Sequence, residues 1–126
     1  MPLVTITLLK GRSGQQKKEI GDVIHFALVQ AGVPEDDRFQ RFFNMEREDF
    51  IYSKSYPELP EERGDDFIMI EILLSAGRNV KIKRKLLATL VAGLQELGIA
   101  PKDVFVVFKE TVWENWSFAG GNLLYA

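Results

Sequence analysis

The chain has 126 residues, 46% of them hydrophobic, which is enough for a single domain with a buried core. A formal net charge of −2 and an isoelectric point near 5.5 exclude a general electrostatic attraction to nucleic acid. The absence of cysteine excludes disulfides and thiol catalysis, and no apolar run approaches the roughly 20 residues of a membrane span. The chain starts without a signal-peptide pattern, so we expect a soluble, cytoplasmic protein without nucleic-acid or membrane partners.

The sequence contains an internal repeat. A shift of 66 residues aligns residues 3–42 with residues 69–108 without a gap, and ten of the forty aligned pairs are identical. Such self-similarity indicates two copies of one substructure. We therefore expect one domain with four parts: a first repeat at about 2–43, a linker at 44–66, a second repeat at about 67–109 and a C-terminal hairpin segment at 110–126.

The first repeat predicts a strand, a helix and a second strand. Residues 2–9, PLVTITLL, alternate weakly between apolar and polar residues, as a strand does. Ser13 is a suitable helix N-cap, and the helix after it carries an apolar face formed by Ile20, Ile24, Ala27, Leu28 and Ala31. Gly32 predicts a left-handed end to the helix, and Pro34 prevents its continuation. Residues 38–43, RFQRFF, predict the second strand.

The second repeat predicts the same three elements. Residues 67–74, FIMIEILL, are apolar almost throughout, which is typical of a strand buried on both faces. Asn79 is the predicted N-cap of a helix whose apolar face consists of Leu86, Leu87, Leu90, Val91, Leu94 and Leu97. Gly98 and Pro101 end this helix, and residues 103–110, DVFVVFKE, predict the last strand.

Two βαβ units predict an α+β fold. The strands within each unit are expected to be parallel, since a crossover helix joins them. We expect a four-stranded mixed sheet with two helices on one face and short extra strands. One extra strand is predicted at residues 48–53, EDFIYS, within the otherwise polar linker.

Three motifs resemble the tautomerase superfamily: an early proline at position 2, LLKGRSGQQK at residues 8–17 and NWSFAGG at residues 115–121. Short 4-oxalocrotonate tautomerases are one βαβ unit that opens Met-Pro, and this chain resembles two such units fused. VPEDDRFQ at residues 33–40 is similar to malonate semialdehyde decarboxylase-like members. The resemblance implies a homotrimer without metal or cofactor. It also implies a tautomerase or isomerase that acts on small 2-keto or enol carboxylates.

The resemblance assigns the acid-base chemistry to Pro2. Removal of Met1 would give Pro2 a free secondary amine, and an unperturbed α-amino group has a pKa of about 7.7–8.0. Apolar surroundings and nearby arginines lower that pKa towards neutrality, where an amine exchanges protons efficiently. The aligned residue of the second repeat is Ile68, which has no free amine. Asp37 matches the aspartate that assists the proline in decarboxylases of the family.

Arginine and aromatic side chains complete the site that the resemblance implies. Arg78 and Arg12 occupy equivalent turns of the two repeats and would bind the substrate carboxylate. Trp116 and Phe118 would form an apolar wall. The decarboxylase pattern has a further arginine where this chain has Ala76.

Several alternatives remain open from the sequence. Pro2 could simply start an edge strand, the two arginines could cap helices, and Asp37 could share a loop role with its counterpart Asp103. Trp116 and Phe118 could pack at a subunit interface. The function could also be that of a decarboxylase, a hydratase or a non-catalytic binding module. His25 is the only histidine, which argues against a zinc site, and we expect it on a helix surface or at an interface.

Overall fold

The computed structural model describes residues 1–125 and consists of two βαβ units. The main elements in chain order are β1 (Pro2–Leu9), α1 (Gly14–Gln30), β2 (Phe39–Met45), β3 (Ile68–Ser75), α2 (Val80–Glu96) and β4 (Val104–Thr111). Both ends of α1 and both ends of β1 lie 66 residues before the corresponding ends of α2 and β3, which is the spacing of the sequence repeat. The two predicted βαβ units are therefore confirmed.

The four strands form one mixed sheet in the order β2-β1-β3-β4. Each repeat contributes a parallel pair, and the repeats meet through antiparallel pairing of β1 with β3. In this register Pro2 lies opposite Leu74, and Leu8 lies opposite Ile68. The start of β1 and the end of β3 consequently meet at one end of the sheet.

The core lies between the sheet and the two helices. Alternate residues of the central strands face the helices and are fully buried: Val4, Ile6, Leu8, Ile68, Ile70, Ile72 and Leu74. The helices contribute the predicted residues Ile20, Ile24, Ala27, Leu28, Leu86, Leu90 and Leu94. Leu97 is 39% exposed because α2 ends at Glu96, so its predicted place on the buried face is wrong.

Both helices begin and end as their capping residues predict. The Ser13 hydroxyl accepts a hydrogen bond from the Gln16 N–H (3.1 Å), and the Gln16 side chain accepts one from the Ser13 N–H (2.8 Å). Asn79 accepts from the Ile82 N–H at 2.9 Å. Gly32 and Gly98 follow the helices with φ of +105° and +89°. Within residues 1–125 neither helix is long and apolar enough to cross a membrane.

The other face of the sheet is covered by no helix within residues 1–125. We call it the open sheet face, and strand alternation places on it Leu3, Thr5, Thr7, Phe39, Arg41, Phe43, Met69, Glu71, Leu73, Phe105, Val107 and Lys109. Phe43 is 46% exposed there, and Phe39, Phe105 and Val107 are also exposed. The polar residues pair among themselves, as Lys109 does with Glu71.

The predicted extra strands are not present among residues 1–125. The segment expected at 48–53 contains a 3-10 turn at Arg47–Asp49, and the chain after β4 forms another at Trp113–Asn115. Strands need a backbone partner, and these segments pack instead through side chains: Tyr52 stacks on Phe67 at 4.2 Å between ring centroids. Paired strands of a C-terminal hairpin are likewise not formed up to residue 125, and Ala126 lies outside the described residues.

The buried carboxylate of Asp103 generates a prediction about stability. Asp103 is 3% exposed and accepts a hydrogen bond from the Gly64 N–H (2.8 Å), which fixes the linker to the second repeat. Asp103→Ala leaves that N–H without its partner, so the free energy of unfolding should fall by about 1–3 kcal/mol. Asp103→Asn keeps an acceptor and should lose less. Urea unfolding at one protein concentration measures the difference, and equal midpoints for Asp103→Ala and the wild type would contradict it.

Candidate active site

A cavity of about 650 Å³ lies where the start of β1 meets the end of β3. The loop between α1 and β2 and the C-terminal segment form its remaining walls. Its charged lining residues are Asp36, Asp37 and Arg78. Its apolar lining includes Met1, Val33, Phe39, Trp113, Phe118 and Leu124, with Tyr125 beside them. The cavity therefore combines one cationic side chain and two carboxylates with a largely apolar wall.

The N-terminal amine lies in this cavity against Asp37. Met1 is 5% exposed, and its amine forms an ion pair with Asp37 Oδ2. The other carboxylate oxygen of Asp37 is buried and has no hydrogen-bond partner within residues 1–125. Pro2 is the next residue and is also buried. The nitrogen of Pro2 consequently lies one residue from the amine that contacts Asp37.

The cavity lowers the pKa of the N-terminal amine below its ordinary value of 8.0. Burial is the larger cause, because it disfavours the charged form, and the positive charge of Arg78 acts in the same direction. The carboxylate of Asp37 opposes both effects, since a neighbouring negative charge favours a protonated amine. An amine at this end of β1 is thus neutral at a lower pH than an amine in water.

Arg78 is held by the end of β3 and retains an unbalanced charge. Its Nη1 donates to the Ser75 carbonyl (3.2 Å) and to the Ser75 hydroxyl (3.3 Å). Within residues 1–125 no carboxylate lies within ion-pair distance of Arg78; Glu110, which is nearby, pairs with Lys83 instead. The remaining guanidinium N–H groups suit a bidentate contact with a ligand carboxylate.

Aromatic side chains form the apolar part of the site. Phe118 lies 6.0 Å from Phe39 between ring centroids and stacks on Trp116 at 5.9 Å with 17° between the ring planes. Trp116 lines a neighbouring cavity of about 520 Å³, which shares Phe39 and Phe118 with the first. Trp116 therefore contacts the candidate site through Phe118 and does not line its main cavity.

The structure places Arg12 in a different cavity. This cavity of about 460 Å³ lies at the opposite end of β1, as the antiparallel pairing of the repeats requires. Its cations are already paired with carboxylates: Arg12 with Asp66 (3.5 Å), Arg47 with Asp65 (2.9 Å) and Lys10 with Glu46 (3.0 Å). A single chain therefore brings together Pro2, Asp37, Arg78 and Phe118, but not Arg12.

The second repeat shows how the equivalent of the N-terminal site is closed. Asp103 aligns with Asp37, yet it accepts its hydrogen bond from the backbone of Gly64 rather than from a free amine. Phe67, which aligns with Met1, is 1% exposed and follows the linker directly, so its backbone nitrogen is part of a peptide bond and not a free amine. The two ends of the sheet are thus similar in backbone and different in chemistry.

Sequence reasoning missed some lining residues. Trp113 lies two residues after the end of β4, and Tyr125 folds back to contact it at 4.8 Å between ring centroids. Ser75, the last residue of β3, supplies the acceptors for Arg78. Ser75 follows one predicted strand region and Trp113 follows another, and these positions could have indicated that both line a site at the strand ends. Nothing in the local pattern indicated Tyr125. No cluster of His, Asp or Glu within residues 1–125 has an arrangement suited to a metal ion.

Two family models, both described as tautomerase enzyme, match the chain. One covers residues 37–119 and the other residues 2–56. The probable tautomerase YusQ of Bacillus subtilis (strain 168) is 34% identical over 123 residues, which are 96% of this chain and 95% of YusQ.

Solved structures share the fold. The FG41 malonate semialdehyde decarboxylase inhibited by 3-bromopropiolate has a TM-score of 0.90 at 31% identity, covering 98% of this chain and 93% of its own. A wild-type fused 4-OT, a symmetric trimer, has a TM-score of 0.75 at 24% identity over 95% of this chain and 94% of its own. This second likeness supports the fold alone. The matched family models and the identity to YusQ show that the chain belongs to the tautomerase family of enzymes.

Proposed function

We propose that the protein is a cofactor-independent tautomerase that uses the amine of Pro2 to move a proton within a small 2-keto or enol carboxylate. The observation that carries the proposal is the cavity in which the N-terminal amine, Asp37 and an unpaired Arg78 meet. Met1 lines this cavity, so its removal would enlarge the space and expose the Pro2 nitrogen to a substrate.

Each group has a defined part in the proposed reaction. Arg78 binds the substrate carboxylate and stabilises the negative charge that develops on the enolate. The neutral amine of Pro2 takes a proton from carbon 3 of the keto acid, and the protonated amine returns it to the enolate oxygen. Asp37 stabilises the protonated amine between the two transfers. Phe118 and the other aromatic residues exclude water and contact the apolar part of the substrate.

The roles proposed for Arg12 and Trp116 are less direct than that of Arg78. Arg12 is paired with Asp66 and far from Pro2 along β1, so it reaches a substrate only if a neighbouring chain aligns the two cavities. Trp116 supports Phe118 by stacking and would act on substrate fit indirectly.

A decarboxylase or hydratase reaction is the second candidate. It is favoured by the 31% identity to a malonate semialdehyde decarboxylase and by the carboxylate of Asp37 beside the amine. Ala76 at the place of a second arginine weakens it. Product analysis after incubation with a 3-keto acid decides between the reactions, because a decarboxylase releases CO₂, a hydratase adds water and a tautomerase leaves the molecular formula unchanged.

We also propose a homotrimer assembled through the open sheet face. This face exposes Phe39, Phe43, Phe105 and Val107, and neighbouring exposed apolar side chains mark an interaction surface. Edge strands β2 and β4 also present unpaired backbone groups that association would cover. The fused 4-OT relative is a symmetric trimer with the same fold.

The position of the amine generates the first functional prediction. A processed protein that starts at Pro2 should be active, and a form extended by three or more residues should lose about 10²–10⁴-fold, since an amide nitrogen has no useful basicity. A form that retains Met1 is a less complete control, because its own amine lies in the cavity. Steady-state assays with phenylenolpyruvate, with circular dichroism to confirm equal folding, measure the effect. Equal activity of processed and extended forms would show that Pro2 only begins a strand.

Arg78 generates a prediction with two readouts. Arg78→Ala should raise KM and lower kcat/KM by roughly 10²-fold, because a charge-assisted bond and enolate stabilisation are both lost. Arg78 lowers the pKa of the Met1 amine, and its positive charge should act in the same direction on a free Pro2 amine. Arg78→Ala should therefore move the acid limb of the pH profile to higher pH. Arg84→Ala removes the same charge from an exposed position on α2 and should change neither. Unchanged kinetics of Arg78→Ala would show that the substrate carboxylate binds elsewhere. Arg12→Ala then tests whether Arg12 is the residue that binds it.

The open sheet face generates a prediction about assembly. Light scattering of the wild type should give about three times the chain mass of 14.4 kDa. Phe43→Asp puts a charge on the open sheet face and should dissociate the trimer, whereas Phe26→Asp changes a 58% exposed residue on the helix side and should leave it intact. A monomeric wild type at micromolar concentration, or equal masses for the two variants, would contradict the assignment of this face.

A further inference from the structure

His25 lies in the interior and not on the predicted helix surface. It is 7% exposed, and its Nε2 is 2.7 Å from the backbone carbonyl oxygen of Glu35. A carbonyl oxygen only accepts hydrogen bonds, so Nε2 carries the proton and donates. A buried side chain of α1 is therefore bound to the backbone of the loop that follows the helix.

This loop carries Asp37 into the candidate active site. The Asp37 N–H donates to the Pro34 carbonyl (3.1 Å), which closes a tight turn from Pro34 to Asp37. The carbonyl that His25 holds belongs to Glu35, inside this turn and two residues before Asp37. Any shift of the turn along α1 would move the Asp37 carboxylate with it.

The second repeat forms the equivalent turn without a histidine. The Asp103 N–H donates to the Ala100 carbonyl at 2.9 Å, and Val91 occupies the position that aligns with His25. Pro101 aligns with Glu35. The backbone of this turn therefore does not require a side-chain donor from the helix, so the histidine bond in the first repeat needs another explanation.

The two carboxylates differ in what holds them. Asp103 is fixed by the Gly64 N–H. Asp37 contacts the N-terminal amine, and its second oxygen has no partner within residues 1–125. Within residues 1–125 no backbone N–H donates to the Asp37 carboxylate as the Gly64 N–H does to Asp103. The position of the Asp37 carboxylate therefore depends on the position of the loop that carries it.

We propose that His25 is a positioning residue: by donating to the Glu35 carbonyl it fixes the turn that holds Asp37 against the N-terminal amine. The inference rests on the proposed function for the role of the amine, and it adds a residue that touches neither substrate nor amine. A second polar tether of this loop to α1, the ion pair of Arg38 with Asp22 (2.8 Å), lies at the surface and is screened by solvent. His25 supplies a buried polar tether, and Val33 anchors the start of the loop in the core.

Three variants separate positioning from folding. His25→Leu removes the donor at similar volume, and His25→Gln keeps an N–H that reaches towards the carbonyl. Ile24→Val trims the adjacent buried residue of the same helix and serves as the control for lost stability alone. All are made in the protein that starts at Pro2, and the assembled state of each is checked by light scattering.

The first readout is the pKa of the amine, followed by ¹⁵N NMR of labelled Pro2. The charged groups around the amine are Asp37, Asp36 and Arg78. Displacement of Asp37 removes the charge that favours the protonated form, so His25→Leu should lower the amine pKa, as Asp37→Asn does. His25→Gln and Ile24→Val should leave it near the wild-type value. An unchanged pKa in His25→Leu would overturn the proposal.

The second readout is kinetic. His25→Leu should lower kcat by about tenfold to a hundredfold with KM within about twofold, the pattern of a misplaced catalytic group whose substrate anchor is intact. The double variant His25→Leu/Asp37→Asn should be no slower than Asp37→Asn, because His25 acts through Asp37. Additive losses would overturn the proposal. An inactive wild type would refute the proposed function, whereas a shifted amine pKa in His25→Leu would still support the positioning role.

Discussion

The antiparallel pairing of β1 with β3 is the constraint on which the rest of the molecule depends. Each βαβ unit alone buries one face of two strands and leaves its inner edge unpaired, so the central pair both completes the core and joins the repeats. Because the strands run in opposite directions, the first residue of one lies beside the last residue of the other. The N-terminus therefore lies beside the short turn that follows β3, and this turn carries Arg78.

The same pairing explains why two similar repeats give dissimilar ends. An approximate twofold relation places Arg12 and Asp103 at one end of the sheet and Arg78 and Asp37 at the other. A chain has only one N-terminus, so the equivalent position at the far end is filled by the linker, whose backbone and carboxylates satisfy Asp103 and Arg12. The unpaired charge of Arg78 therefore distinguishes the candidate site from the opposite end of the sheet, where Arg12 and Asp103 have partners.

The sequence predicted the parts of the fold that local patterns specify. Alternating and continuous apolar runs, Ser13 and Asn79 as caps, and the glycines after each helix located the regular elements to within one or two residues. The segments without periodicity were harder. The linker and the C-terminal segment are held by contacts between aromatic side chains, such as Tyr52 with Phe67 and Trp113 with Tyr125. The spacing of these residues in the sequence does not predict that they are in contact.

The candidate site was predictable to a similar degree. Asp37 and Arg78 are located by motifs at the ends of regular elements, and the structure places both in one cavity with Phe118. Arg12 has the same local motif as Arg78, and only the long-range pairing of the strands separates them. His25 looked like an isolated polar residue on a helix, because its partner is a backbone carbonyl and a carbonyl leaves no signature in the sequence.

The burial of Met1 has a consequence for the order of events during synthesis. In the folded chain its amine and side chain are covered, and the strand that covers them from one side does not begin until Ile68. The pairing of Pro2 with Leu74 also closes a longer loop than any contact within the first repeat, and such contacts form late. The N-terminus is therefore accessible while only the first repeat has formed, and it is covered once the second repeat has docked.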